Sequence, residues 1–141
     1  MRTNTRPPGT VLIIDDDPEI CEALELAATM EGYEVCIASD EAAALDILDS
    51  VSPSVILLDY YIAGQDIQRF AMRLRESVPS IPIVLMTGAR DPGVKAKELG
   101  IKHVLPKPFD IEALSKLLRR FGVRSKYAAR KKECLAFSLF A

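Results

Sequence analysis

The chain has no tryptophan, one histidine and few aromatic residues, so aliphatic side chains must form most of any core. No apolar run approaches the ~18 residues that a membrane helix needs. Residues 1–10 contain two arginines and two prolines but no apolar stretch, which argues against a signal peptide. The cysteines, Cys21, Cys36 and Cys134, are odd in number and lack the spacing of a metal site. These absences favour a cytoplasmic protein with no membrane partner.

Length and charge predict one acidic domain with a basic end. The 141 residues are 49% hydrophobic, enough for one domain with its own core. From Arg119 onward there are seven basic residues and one acid, whereas the preceding chain is net acidic. We therefore expect a flexible arm at 1–9, a domain at 10–121 and a basic tail or linker at 122–141. The acidic domain argues against nucleic-acid binding by that domain.

Short apolar runs alternate with segments of helical periodicity. Asp17-Pro18, Asp40, Asp91-Pro92 and Asp110 resemble helix starts, because aspartate is a common N-cap and proline a common first helical residue. The predicted strands are, in chain order, Val11–Ile14, Tyr33–Ala38, Val55–Leu58, Ile81–Met86 and Lys102–Leu105. Five β-then-α units predict an α/β fold, a doubly wound parallel sheet with helices on both faces. In the last helix we expect an inward face of Ile111, Leu114, Leu117, Leu118 and Phe121.

Polar residues follow four of the predicted strands. Asp15 and Asp16 follow the first, Asp59 the third, Thr87 the fourth and Lys107 the fifth. The carboxyl ends of parallel strands share one edge of a sheet, where ligands bind in open α/β folds. Acids, a hydroxyl and an ammonium group that meet there can bind a divalent cation and hold a phosphoryl group.

Clustered carboxylates repel one another and an incoming phosphate, unless a cation lies between them. Mg²⁺ suits this role, because it binds one or two carboxylates together with phosphate oxygens. Lys107 supplies a point charge for phosphoryl oxygens, and Thr87 and the amide of Gly88 supply hydrogen-bond donors. Asp59 is the candidate nucleophile, because it stands alone at the end of a central strand.

These segments resemble the receiver domain of two-component response regulators. The matching segments, in the order and spacing of that family, are Val11–Asp17, Val55–Asp59, Ile83–Gly88 and Lys107–Phe109. The resemblance covers roughly residues 10–121 and implies the flavodoxin-like strand order 2-1-3-4-5.

The resemblance implies a role for each matched residue in the metal site. Asp59 would accept a phosphoryl group from a histidine kinase or a histidine phosphotransfer protein. Asp16 would ligate Mg²⁺ directly, Asp15 would assist through water, and Asp59 and the backbone carbonyl of Tyr61 would complete the protein ligands. The cofactor is therefore expected to be Mg²⁺.

The resemblance also implies the phosphate contacts and the output. Thr87 would move toward the phosphate, the Gly88 amide would donate to it, and Lys107 would pair with its oxygens, with a cis Lys107–Pro108 bond. The protein would be a switch with intrinsic autophosphorylation and autodephosphorylation rather than a turnover enzyme. It would control an unidentified downstream effector, and a homodimer is allowed.

The chain departs from the family pattern in three respects. The family commonly has Met-Pro and then Asp-Gly after the acceptor, where this chain has Ile62-Ala63 and Asp66-Ile67. These changes should alter the shape or stiffness of the loop. The aromatic switch residue is replaced by Val104, and Pro106 directly precedes the lysine.

Two other functions stay open at this point. One is a haloacid dehalogenase-type phosphatase, in which Asp15 would be the nucleophile and Asp17 the acid/base. The other is an interaction module that keeps the fold without being phosphorylated. The basic tail has three interpretations: an extended or disordered end, a linker to an output domain, or a partner-binding segment.

Overall fold

Five strands and five helices alternate along residues 9–121, the part of the chain that the computed structural model describes. The strands are β1 (Thr10–Ile14), β2 (Glu34–Ala38), β3 (Val55–Asp59), β4 (Ile83–Thr87) and β5 (His103–Pro106). The helices are α1 (Pro18–Met30), α2 (Glu41–Leu48), α3 (Ile67–Ser77), α4 (Pro92–Leu99) and α5 (Ile111–Phe121). None of these helices is long and apolar enough to cross a membrane. Residues 1–8 of the expected arm and the whole basic tail lie outside the described residues.

All five strands are parallel and form one sheet in the order β2-β1-β3-β4-β5. This confirms the predicted fold class and strand order. Every residue of β3 and β4 is buried. Strands covered on both faces need apolar side chains on both, which explains why these two segments are continuous hydrophobic runs.

Alternate residues of the central strands feed two separate hydrophobic cores. Leu12 and Leu58 belong to the core under α2, α3 and α4, whereas Val11 and Leu57 belong to the core under α1 and α5. Side chains alternate between the two faces of a strand, so the sheet separates the cores completely. Tyr33 adds a polar tie on the second face, because its hydroxyl donates a hydrogen bond to the carbonyl of Leu118 in α5.

Aspartate side chains begin four of the helices. Asp17, Asp40, Asp66 and Asp110 each accept a hydrogen bond from a backbone amide of the first turn, at 2.8–3.3 Å. Each satisfies one of the amides that a helix start leaves without a partner. Asp91 occupies the corresponding position of α4, as predicted, but makes no such bond.

Two details of the predicted elements are wrong. Ile111 does not face the core: it is 46% exposed, because the first turn of α5 lies at the carboxyl edge of the sheet and has no strand beneath it. Strand β4 begins at Ile83 rather than Ile81, since Pro82 has no amide hydrogen to donate to a neighbouring strand. The other strand boundaries differ from prediction by at most one residue.

Candidate functional site

Strands β1, β3, β4 and β5 end along one edge of the sheet. In the parallel register Ile14 lies opposite Leu58, Asp59 opposite Met86 and Thr87 opposite Pro106. The polar residues that follow or end these strands are therefore neighbours in space although they are far apart in sequence. The predicted convergence at the carboxyl edge is confirmed.

Three carboxylates meet at this edge. One oxygen from each of Asp15, Asp16 and Asp59 lies within 4.8 Å of the others. Asp15 and Asp59 are 1% and 6% exposed, whereas Asp16 is open to solvent. Burial raises the pKa of Asp15 and of Asp59 above the ordinary value, and another carboxylate of the cluster adds to each shift. The cluster therefore holds negative charge at an energetic cost.

The donor set fits a hard divalent cation. The Asp15 Oδ2 atom is buried and accepts no hydrogen bond in the described part of the chain, while Oδ1 accepts the amide of Asp17 at 3.0 Å. A buried anionic oxygen without a hydrogen-bond donor is costly unless a cation compensates it. Carboxylate oxygens at this spacing are the ligands that Mg²⁺ prefers.

Lys107 is the cation closest to the cluster among the described residues. Its Nζ lies 2.9 Å from Asp59 Oδ1 and 3.6 Å from Asp15 Oδ2. Burial lowers the pKa of Lys107, but hydrogen bonding to Asp59 and the charge of Asp15 outweigh burial, so the net shift is upward. The lysine thus stays charged and offsets part of the negative charge. The Lys107–Pro108 bond is cis, as the resemblance implied.

Thr87 ends the neighbouring strand β4, and Gly88 follows it. Thr87 is 3% exposed, and its Oγ1 accepts a hydrogen bond from the amide of Ala89 at 3.0 Å. Its carbonyl accepts the amide of Lys107 at 2.8 Å, so the end of β4 and the lysine are held together. Gly88 is exposed next to the lysine side chain.

The loop after β3 contributes backbone groups rather than side chains. The side chain of Tyr61 is 75% exposed, but its backbone amide faces Asp59 closely enough to lower the pKa of that carboxyl, against the larger effect of burial. The amide of Ala63 donates to Asp16 Oδ2 at 3.1 Å. Sequence reasoning did not find this donor, because every residue except proline carries the same group. The one available signal was the absence of proline at this position.

Cys21 lies under the cluster and is not a second nucleophile. Its Sγ donates a hydrogen bond to the carbonyl of Asp15 at 3.3 Å. Burial, and then the charges of the nearby aspartates, raise the pKa of Cys21 to about 12, so it remains a neutral thiol at physiological pH. The thiol is therefore not a candidate nucleophile of this site.

A comparison with known families agrees with this geometry. The family model described as "Response regulator receiver domain" matches residues 11–119. The chain belongs to the response regulator receiver domain family.

Curated relatives and solved structures place this receiver domain among bacterial regulators. The probable transcriptional regulatory protein TcrX of Mycobacterium tuberculosis is 31% identical over 87% of the chain and 55% of the relative. The DNA-binding transcriptional regulator NtrC of Proteus hauseri is 36% identical over 79% of the chain and 24% of the relative. The chemotaxis response regulator CheY4 of Vibrio cholerae superposes with a TM-score of 0.72 at 28% identity, covering 80% of this chain and 98% of that one.

The chain spans about half or less of the length of these curated relatives. Its match to CheY4, in contrast, covers nearly all of that protein. The likeness therefore concerns the receiver domain, and what adjoins it in the relatives has no counterpart in the matched region.

The departures from the family pattern have distinct surroundings in this receiver domain. Val104 is half-buried and packs against the core under α2, α3 and α4. The neighbouring His103 ring lies edge-on to Phe121 of α5, with ring centroids 4.8 Å apart. Burial, then the charges of Arg120 and Lys102, lower the pKa of His103. The aromatic contact on β5 thus faces α5, while the usual switch position carries an aliphatic side chain.

Proposed function

We propose that Asp59 is the phosphoacceptor of this receiver domain and that Mg²⁺ is its cofactor. The observation that carries the proposal is the meeting of three carboxylates within 4.8 Å with Lys107 Nζ at 2.9 Å from Asp59. Asp15, Asp16, Asp59 and the carbonyl of Tyr61 would hold the ion. When bound, Mg²⁺ would neutralise charge on the carboxylates and the phosphoryl oxygens.

The proposed reaction is the transfer of one phosphoryl group to Asp59. An Asp59 oxygen attacks the phosphorus of a phosphohistidine, an acyl phosphate forms, and the phosphorus–nitrogen bond breaks as the imidazole leaves. Lys107, now beside Asp59 Oδ1, moves its hydrogen bond to a phosphoryl oxygen. The Thr87 hydroxyl, at the last position of the adjacent strand, and the amide of Gly88, which follows it, would donate to the other oxygens.

The output is a conformational switch rather than turnover of a substrate. Moving the Lys107 contact and drawing Thr87 inward changes the carboxyl end of β4 and the segment before α4. Two conformations that differ by a few kcal/mol are enough for phosphorylation to shift the population. Autophosphorylation from small donors and autodephosphorylation would be the only intrinsic reactions.

The proposed partners follow from the family and the charge of the chain. The phosphodonor would be a histidine kinase or a histidine phosphotransfer protein in the cytoplasm. The effector would be a downstream protein or an adjoining domain, since TcrX and NtrC carry further sequence beyond the matched region. A homodimer is compatible with this role, and the acidic domain is not expected to bind nucleic acid.

Intact-protein mass spectrometry after incubation with acetyl phosphate and Mg²⁺ tests the proposal. The wild-type chain should gain the mass of one phosphoryl group, and Asp59→Asn should not. Asp49→Asn, an exposed acid at the end of α2, is the matched control and should behave as wild type. Equal labelling of wild type and Asp59→Asn would refute the assignment.

The same labelling experiment, together with a binding assay for Mg²⁺ and beryllofluoride, separates the alternatives. Loss of labelling in Asp15→Asn together with full labelling of Asp59→Asn would indicate the phosphatase-type nucleophile. Failure of the wild type to bind Mg²⁺ or beryllofluoride would indicate a module that works without phosphorylation.

A further inference from the structure

A tight turn carries the backbone amide that contacts the metal-site aspartate. The carbonyl of Ile62 accepts the amide of Gln65 at 3.0 Å, and Gly64 has a φ of 78°. No residue other than glycine has a positive φ in the described chain, so Ala63 has a negative φ. This combination defines a type II turn with Ala63 at its second position.

The turn is anchored on both sides. Ile62 is 3% exposed and packs into the core under α2, α3 and α4. The Gln65 side chain accepts the first amide of α2, from Glu41, at 3.0 Å. The position of the Ala63 amide is therefore fixed by the fold rather than by its contact with the carboxylate.

The Asp16 carboxylate has this amide as its only hydrogen-bond donor among the described residues. The contact runs from the Ala63 nitrogen to Asp16 Oδ2 at 3.1 Å, across 47 positions of sequence. Asp16 is exposed, so without this contact its side chain would rotate more freely in solvent. A carboxylate oxygen has a second lone pair, so the hydrogen bond leaves each oxygen able to bind a cation.

We propose that the Ala63 amide is a positioning group that holds the Asp16 carboxylate toward Asp15 and Asp59 and so favours Mg²⁺ binding. The inference rests on the proposed function, in which Asp16 ligates the ion. Groups that orient a metal ligand contribute to affinity without touching the metal. The proline that the family commonly has at this position cannot make the bond, because it has no amide hydrogen. This chain thus has a support for its metal ligand that the usual sequence lacks.

Ala63→Pro is a clean test of the donor. Proline is favoured at the second position of a type II turn, so the loop should keep its shape while the hydrogen is lost. A second variant, an ester in which lactic acid replaces Ala63, removes the same hydrogen without a ring. Ala63→Ser keeps the amide and is the matched control.

The measurements are the Mg²⁺ dissociation constant, by isothermal titration calorimetry, and the amide proton shift of residue 63 by NMR. We expect the proline and ester variants to bind Mg²⁺ about 3- to 10-fold more weakly, and Ala63→Ser to stay within about 2-fold of wild type. In the metal-free protein, Asp16→Asn should move the residue 63 amide proton upfield.

The outcomes distinguish failure of this inference from failure of the proposed function. Wild-type chain that does not bind Mg²⁺ overturns both. Wild-type binding with unchanged affinity in the proline and ester variants overturns the positioning role alone. Weaker binding in the proline variant but not in the ester also overturns it, because the ring and not the missing hydrogen would then be the cause.

Discussion

Neutralising Asp59, the proposed phosphoacceptor, should stabilise the metal-free protein. Asp59 is 6% exposed and shares an edge of the sheet with two other carboxylates. We expect Asp59→Asn to raise the free energy of unfolding in EDTA by about 1–2 kcal/mol, which is large beside the usual destabilising effect of a substitution.

The magnitude follows from opposing interactions. At an effective dielectric constant of about 20, the 2.9 Å contact with Lys107 attracts Asp59 by about 6 kcal/mol. An asparagine oxygen keeps a hydrogen bond to that charge worth about 1.5–3 kcal/mol. The remaining attraction is opposed by at least about 3.5 kcal/mol of repulsion from Asp15, whose oxygen is at most 4.8 Å away, and by several kcal/mol for burying the carboxylate. Burial and repulsion together exceed the lost attraction, in agreement with the raised pKa of Asp59.

Urea unfolding in EDTA and in saturating Mg²⁺ measures the effect, with Asp49→Asn as the control that should change little. The wild type should gain more stability from Mg²⁺ than Asp59→Asn does, because ligand binding to the folded state stabilises it. If Asp59→Asn is less stable than the wild type in EDTA, the reasoning is refuted.

The pH dependence of stability gives a second measure of the cost of the charged carboxylates. The pKa of Asp15 and that of Asp59 are raised in the folded state, so the charged forms cost stability above both the folded and the unfolded values. That cost disappears as the pH falls through the folded pKa. The metal-free wild type should therefore gain more stability than Asp59→Asn when the pH is lowered from neutral toward that value.

Three further changes have definite expected outcomes. Burial, and then Glu31, raise the pKa of Tyr33 to about 12, so stability should fall by about 2 kcal/mol between pH 10 and 12, and less in Tyr33→Phe, as monitored by urea unfolding. Lys107→Met should destabilise the metal-free protein by about 2–3 kcal/mol, because it leaves two buried carboxylates without their cation, and an NMR titration should show a higher pKa for Asp59. Phe70→Ala should cost about 3–5 kcal/mol in thermal unfolding by leaving a cavity in a fully buried site.

The sequence was most informative where local chemistry alone determines structure. Asp17 and Asp110 could be placed as helix caps because a cap needs only a side-chain oxygen next to the helix start. Asp59 could be placed in the site because a polar residue that ends a wholly apolar run must lie at a strand end. The neighbours of each strand, in contrast, are set by contacts distant in sequence, so the strand order depended on the family resemblance.

The features that the sequence did not predict depend on where a residue lies in the folded domain. Helical spacing put Ile111 on the inward stripe of α5, but spacing does not show where the sheet beneath the helix ends. The Ala63 amide was missed because a backbone donor has no signature in residue type. An alanine at another position of the fold can have the same backbone amide without a carboxylate next to it.

Strand β5 ends the sheet on one side, has only four residues and finishes on Pro106. An outer strand with free amides can recruit a strand from another molecule, which leads to aggregation. A proline at its last position removes one of those amides, and the short length leaves few others. This side of the sheet is therefore a poor template for intermolecular strand addition, which lowers the tendency of the folded domain to aggregate through β5.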